Sequence, residues 1–182
     1  MTPTHLPGRV AIPSLPTVLD AFNSAPAHDA RALLMDCLRS PRWVERLASH
    51  RPYPDVDSLL AASDEAAYDL TPGDLAEALA RETLPALPAG VYGAAHTALD
   101  AANAAYEAKF GHVFVICLDG LPPDEALDQA LAGIRSRLAN DPEEERVVAA
   151  EELRRLARAR LVSHLRGAGN CATSHNEPAP GR

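Results

Sequence analysis

Few side chains in this chain stand where acid–base or ion-binding chemistry would need them. The segment 78–90, ALARETLPALPAG, puts Glu82 at the end of a helix-like run, Asp74 to Glu82, with Pro85 and Pro88 just beyond it. A carboxyl there has two readings. Buried, its pKa can rise by several units, enough to donate a proton near neutral pH. At a fraying helix end it is a solvated surface group. Arg160 in RARL and Arg137 in RLAND are the guanidinium forks that could hold a carboxylate. Arg160 could equally pair with Glu151 or Glu152. His96 and His112, near the 103–117 segment, read as surface or partly packed histidines. Cys117 reads as a small core residue, since no histidine partner is indicated for it. Lys109 and Glu107 in YEAKFG read as surface and pairing residues at a helix end.

The elements that must position these groups are helical. A first helix is expected over about 15–23, with Ser14 as its cap and Leu15, Val18, Leu19 and Phe22 on one face. A second covers about 27–38. The third opens with Ser40 as cap and Pro41 at N1, and Trp43, Val44 and Leu47 form its apolar face. A short helix starts at Asp55, and another follows Thr71 and Pro72. After the 83–93 connector comes the longest clear pattern, about 94–110, in which Leu99, Ala102, Tyr106 and Phe110 recur every three or four residues until Gly111. VFVIC, 113–117, is the one strand-like stretch, and a buried helix turn fits it equally. Two more helices follow, Pro123 to Ala139 and then one capped by Asp141, with Glu143 to Glu145 at its positive end and Gly167 as its stop. The expectation is an all-α, single-domain bundle of about eight to nine helices over 14–167. Residues 1–13 form a loose arm and 168–182 a disordered tail.

Bulk properties narrow the function. The chain has 182 residues, about one domain. Apolar residues make up 47% but aromatics only 4%, and alanine and leucine favour close-packed helices. A net charge of −8 spread along the chain lacks the basic patch of a nucleic-acid binder. No apolar run approaches the roughly 20 residues of a membrane span. Cys37, Cys117 and Cys171 make no CxxC pair and no disulfide framework; a reduced, cytoplasmic setting fits.

Four passages resemble the 2-oxo-4-hydroxy-4-carboxy-5-ureidoimidazoline (OHCU) decarboxylases of urate breakdown. They are CLRSPRWVERLASHRPYPDVDSLLAAS (37–63), LTPGDLAEALA (70–80), NAAYEAKFGHVFVIC (103–117) and IRSRLANDPEEERVVAAEELRRLARARL (134–161). The resemblance implies an all-α fold, usually a homodimer, acting on a small molecule with no metal and no organic cofactor. The implied reaction removes CO₂ from OHCU and protonates the resulting carbanion-like centre on one face, giving (S)-allantoin. Such chemistry needs an acid over that carbon and polar groups that fix the ring.

In the family that acid is a histidine followed by proline. Carried over residue by residue, the histidine falls on Glu82 and the proline on Thr83. A Glu-Gln pair of the family falls on Leu84-Pro85, and the loop between the two sites is essentially gone. The main chain of Phe114, Val115, Ile116, Cys117 and Leu118 would line the substrate pocket. The family's active-site arginine matches either Arg160 or Arg137. The expected function is OHCU decarboxylation with Glu82 at the acid position, far slower than in a member with the histidine. The alternative is a non-catalytic or re-purposed relative that binds a small acidic ureido heterocycle or serves as an interaction subunit. The homodimer rests on the resemblance alone.

Overall fold

The computed structural model describes residues 17–85 and 93–167. They form eight helices: α1 Val18–Ser24, α2 Ala27–Cys37, α3 Pro41–Ser49, α4 Val56–Tyr68, α5 Pro72–Leu79, α6 Gly93–Phe110, α7 Pro123–Arg137 and α8 Pro142–Gly167. No strand occurs among the described residues, which gives the expected all-α architecture. The proposed arm 1–13, the tail 168–182 and residues 86–92 of the connector lie outside them.

Polar side chains set the helix starts. Ser40 accepts the Trp43 N–H and is followed by Pro41. Asp55 accepts the Ser58 N–H at 2.7 Å. Thr71 and Asp74 form a reciprocal capping box around Pro72. The first helix departs from expectation. Its cap is Thr17, not Ser14, because Asp20 stands three residues on and returns a hydrogen bond to the Thr17 N–H at 2.8 Å. Ser14 has Thr17 at that offset and no such partner. The seventh helix ends at Arg137, with Leu138 and Ala139 in a turn. Lys109 explains this stop: its ammonium donates to the Leu138 and Asn140 carbonyls at 2.8 and 2.7 Å.

Two apolar clusters form the core. The larger joins α1–α5 to α8 around Leu34, Trp43, Leu47 and Leu59, and the Trp43 indole N–H donates to the Ser63 carbonyl at 3.0 Å. The long α8 contributes Ala149, Leu153, Ala157 and Leu161, a strict four-residue repeat that lays one buried line along the helix. The smaller cluster packs α6 against α7 through Leu99, Tyr106, Ala130 and Ile134.

Residues 113–118 run between the clusters as irregular chain that is neither strand nor helix turn, correcting both sequence readings. Its side chains alternate between the two clusters. Phe114 and Ile116 enter the smaller cluster while Val115 enters the larger. That two-sided burial produced the strand-like signature. Gly111, at φ +81°, turns the chain out of α6 into this segment, and its N–H closes on the Glu107 carbonyl at 2.8 Å. Gly133 lets α7 approach it: a Cβ there would stand 3.2 Å from Ile116 Cδ1.

Candidate functional site

Glu82 follows the tight turn that closes α5, where its N–H bonds the Leu79 carbonyl at 3.2 Å. Its side chain is only 2% exposed. Both carboxylate oxygens accept from Arg160 of α8: Nη1 to Oε1 and Nη2 to Oε2, each at 2.9 Å. Arg160 Nη1 also donates to the Cys37 carbonyl at the end of α2, at 3.1 Å. One guanidinium thus joins the ends of α2 and α5 to the last helix. Hydrogen bonding to Glu82 raises the Arg160 pKa, against the opposing effect of desolvation. The solvated-end reading of Glu82 is therefore corrected. So is the pairing of Arg160 with Glu151 or Glu152. Glu151 is taken by Arg154 and Arg155. Glu152 accepts the Cys117 N–H at 2.7 Å and contacts Arg155.

Arg160 lies on the wall of a cavity of about 390 Å³. The other walls are residues 83–85, then Ile116, Leu118 and Asp119, and on α8 Leu156, Ala159 and Ser163. Glu82 stands behind Arg160 and is not on the wall. The structure therefore brings Arg160 to the same cavity as Ile116 and Leu118. Thr83, Asp119 and Ser163 are polar wall groups that sequence reasoning missed. Nothing in their local patterns marks them, since three separated segments meet only in the fold.

Arg137, the other arginine candidate, is elsewhere. Its guanidinium is buried against Glu145, with Nε to Oε1 at 2.9 Å and Nη2 to Oε1 at 2.5 Å. Its Nη1 donates to the Val115 carbonyl at 2.6 Å. The Tyr106 hydroxyl donates to the same carboxylate, and Asn140 donates to its second oxygen at 2.8 Å. Burial first, then the bond to Glu145, pushes the Tyr106 phenol well up from its usual pKa. Glu145 is thus no dipole-complementing surface residue; it turns inward as the hub of a buried network.

Three side chains from three helices each hold one main-chain group of the 114–117 run. Asn103 Oδ1 of α6 accepts the Phe114 N–H at 2.9 Å. Arg137 of α7 holds the Val115 carbonyl, and Glu152 of α8 holds the Cys117 N–H. The Phe114 and Val115 side chains are enclosed in the core and do not line this cavity. Cys117 is half-buried, and desolvation raises its thiol pKa, which disfavours the thiolate a nucleophile needs. His112 packs edge-on against Tyr106 with Nδ1 2.9 Å from the Val113 carbonyl. His96 belongs to α6, away from the cavity wall. Among the described residues, no group of three or more His, Cys, Asp or Glu is placed to hold a metal ion, and no helix is long and apolar enough to cross a membrane.

The family model described as OHCU decarboxylase matches residues 23–87 and 88–162. The chain belongs to the OHCU decarboxylase family. The fold agrees with two crystal structures. One is an OHCU decarboxylase in the presence of (S)-allantoin, with a TM-score of 0.63 and 21% identity over 78% of this chain and 99% of that one. The other is an (S)-allantoin synthase, with a TM-score of 0.62 and 21% identity over 81% of this chain. The present chain spans about half the length of that synthase, 53%. No curated protein matches the sequence.

Proposed function

We propose that this chain is a weakened OHCU decarboxylase whose small-molecule site is the Arg160 cavity. The observation that carries the reading is the fork at the family's acid position: both Glu82 oxygens accept N–H bonds from Arg160. A carboxylate held that way offers no O–H to a carbanion-like centre, and Glu82 does not reach the cavity wall. The missing general acid costs about 10²–10⁴-fold in rate. Polar groups that can hold the ureide ring survive. A guanidinium has five N–H donors; Glu82 takes two and the Cys37 carbonyl one. Two remain for a ring carbonyl.

Of the run 114–118, Ile116 and Leu118 serve the substrate in this reading. The Phe114, Val115 and Cys117 main-chain groups serve to hold the segment. Arg137 is a positioning residue and Arg160 the binding arginine. The fork also favours a second reading, a member that binds a ureido heterocycle without converting it.

The homodimer, the cytoplasmic setting and a folding unit of 14–167 with dispensable ends belong to the same proposal. Tyr68 and Val147 are 70% and 68% exposed beside an apolar groove between α4, α5 and α8. A surface of that kind is consistent with a partner subunit. The test of function generates OHCU in place from urate and follows the chirality of the allantoin formed, because uncatalysed decay gives racemate. Wild type should give a small excess of (S)-allantoin that Arg160→Met removes. An excess untouched by Arg160→Met would move the site away from this cavity.

A further inference from the structure

The charges at the Arg160 cavity do not suit a carboxylate ligand. Among the described residues, the wall carries one cation, Arg160, and one anion, Asp119. The positive charge of Arg160 is already met by Glu82 in a two-bond fork, with the acid 2% and the guanidinium 33% exposed. Arg160, Glu82 and Asp119 together leave one net negative charge. An incoming carboxylate would meet Glu82 across the same guanidinium and Asp119 on the wall, and like charges brought together without compensation oppose binding.

We infer that this cavity selects an uncharged cyclic ureide over a carboxylate-bearing one, and that Glu82 and Asp119 set that preference. The inference rests on the proposed location of the site. The polar groups present match an uncharged ureide. Its carbonyl can accept from the two N–H donors of Arg160 that neither Glu82 nor Cys37 uses. Paired ureide N–H groups suit a carboxylate such as Asp119, which accepts through two oxygens, the mirror of an arginine fork. The Ser163 and Thr83 hydroxyls can donate or accept on the same wall. Ile116, Leu118 and Leu156 supply apolar surface for the ring. Glu82 therefore does more than replace an acid: it occupies the seat that an acidic ligand would take on Arg160.

The test is calorimetric titration of the full chain with hydantoin-5-acetamide and hydantoin-5-acetate, which share a ring and differ by one charge. Wild type should bind the amide at least about tenfold more tightly than the carboxylate. Glu82→Gln should narrow or reverse that ratio by strengthening carboxylate binding. Asp119→Asn, at an exposed wall position, should shift it the same way in a fold untouched by the loss of the buried pair, so the test survives a Glu82→Gln variant that fails to fold. A carboxylate bound as tightly as the amide by wild type would overturn the inference while leaving the site in place. An unchanged ratio in both variants would also overturn it. No binding of either compound by wild type would sink the inference and the proposed site together.

Discussion

Replacing Arg137 with leucine should damage the fold rather than the ligand site, and the cost follows from its surroundings. The Arg137 and Glu145 side chains are 9% and 1% exposed. Arg137 donates to the Glu145 carboxylate through two nitrogens, to the Val115 carbonyl and to the Tyr106 hydroxyl. Its guanidinium also lies 4.7 Å from the Phe114 ring centre. Arg137→Leu removes all of this and strands a buried carboxylate, and breaking one side of a buried pair costs about 3–5 kcal/mol. In a domain of this size each kcal/mol lowers Tm by about 2–4 °C, so a fall of about 6–20 °C is expected. Thermal and urea unfolding followed by circular dichroism would measure it. The double variant Arg137→Leu with Glu145→Leu should recover much of the loss, because it strands no charge. A single-variant cost below about 1 kcal/mol, the level of an exposed pair, would refute the buried-network account and return Arg137 to the list of ligand-binding candidates.

Other expectations come from caps, buried thiols and acid-sensitive carboxylates. Thr71→Ala should cost about 1 kcal/mol by removing the α5 cap, read as a reduced urea midpoint with an unchanged slope; no change would mean that Pro72 alone starts the helix. Burial pushes the Cys37 thiol up to about 12. Iodoacetamide should therefore leave Cys37 unmodified in the folded protein and label it after unfolding, as read by peptide mass mapping; rapid native labelling would place it at the surface. Bonds from Thr17, Ser58 and Thr71 hold the Asp20, Asp55 and Asp74 carboxyls below their ordinary value of 3.8. Stability from these bonds is fully present above that value and is lost as pH falls through the lower folded values. Asp74→Asn should flatten the acid limb of Tm against pH, and an unaltered limb would deny the box any ionic part.

The helices were legible because their signals are local. Ser40-Pro41, Asp55 and Thr71-Pro72 announce starts within a few residues of themselves. Ser14 misled because the deciding residue was Asp20, whose box closes on Thr17. The 113–117 run read as a strand because it is a short unbroken apolar stretch, yet its main-chain partners are the side chains of Asn103, Arg137 and Glu152 rather than a neighbouring strand. Such partners lie 11 to 35 residues away and leave no periodic trace. The site was legible only as family resemblance. Nothing local could pair Glu82 with Arg160 across 78 residues, and the nearer glutamates on α8 were plausible partners until the fold committed them elsewhere. Asp119 escaped notice for the same reason: its role depends on a wall assembled from three distant segments.

The central claim is that the frame of an OHCU decarboxylase persists here while its proton donor does not. Its most direct test is the initial rate of (S)-allantoin formation from OHCU made in place, at matched concentrations of this chain, its Glu82→Gln variant and a family member that keeps the histidine. The account predicts a rate for this chain at least about 10²-fold below that of the histidine-bearing member, with Glu82→Gln not lowering it. A rate comparable with that member, abolished by Glu82→Gln, would show that Glu82 leaves Arg160 to act as the acid, and would contradict the account.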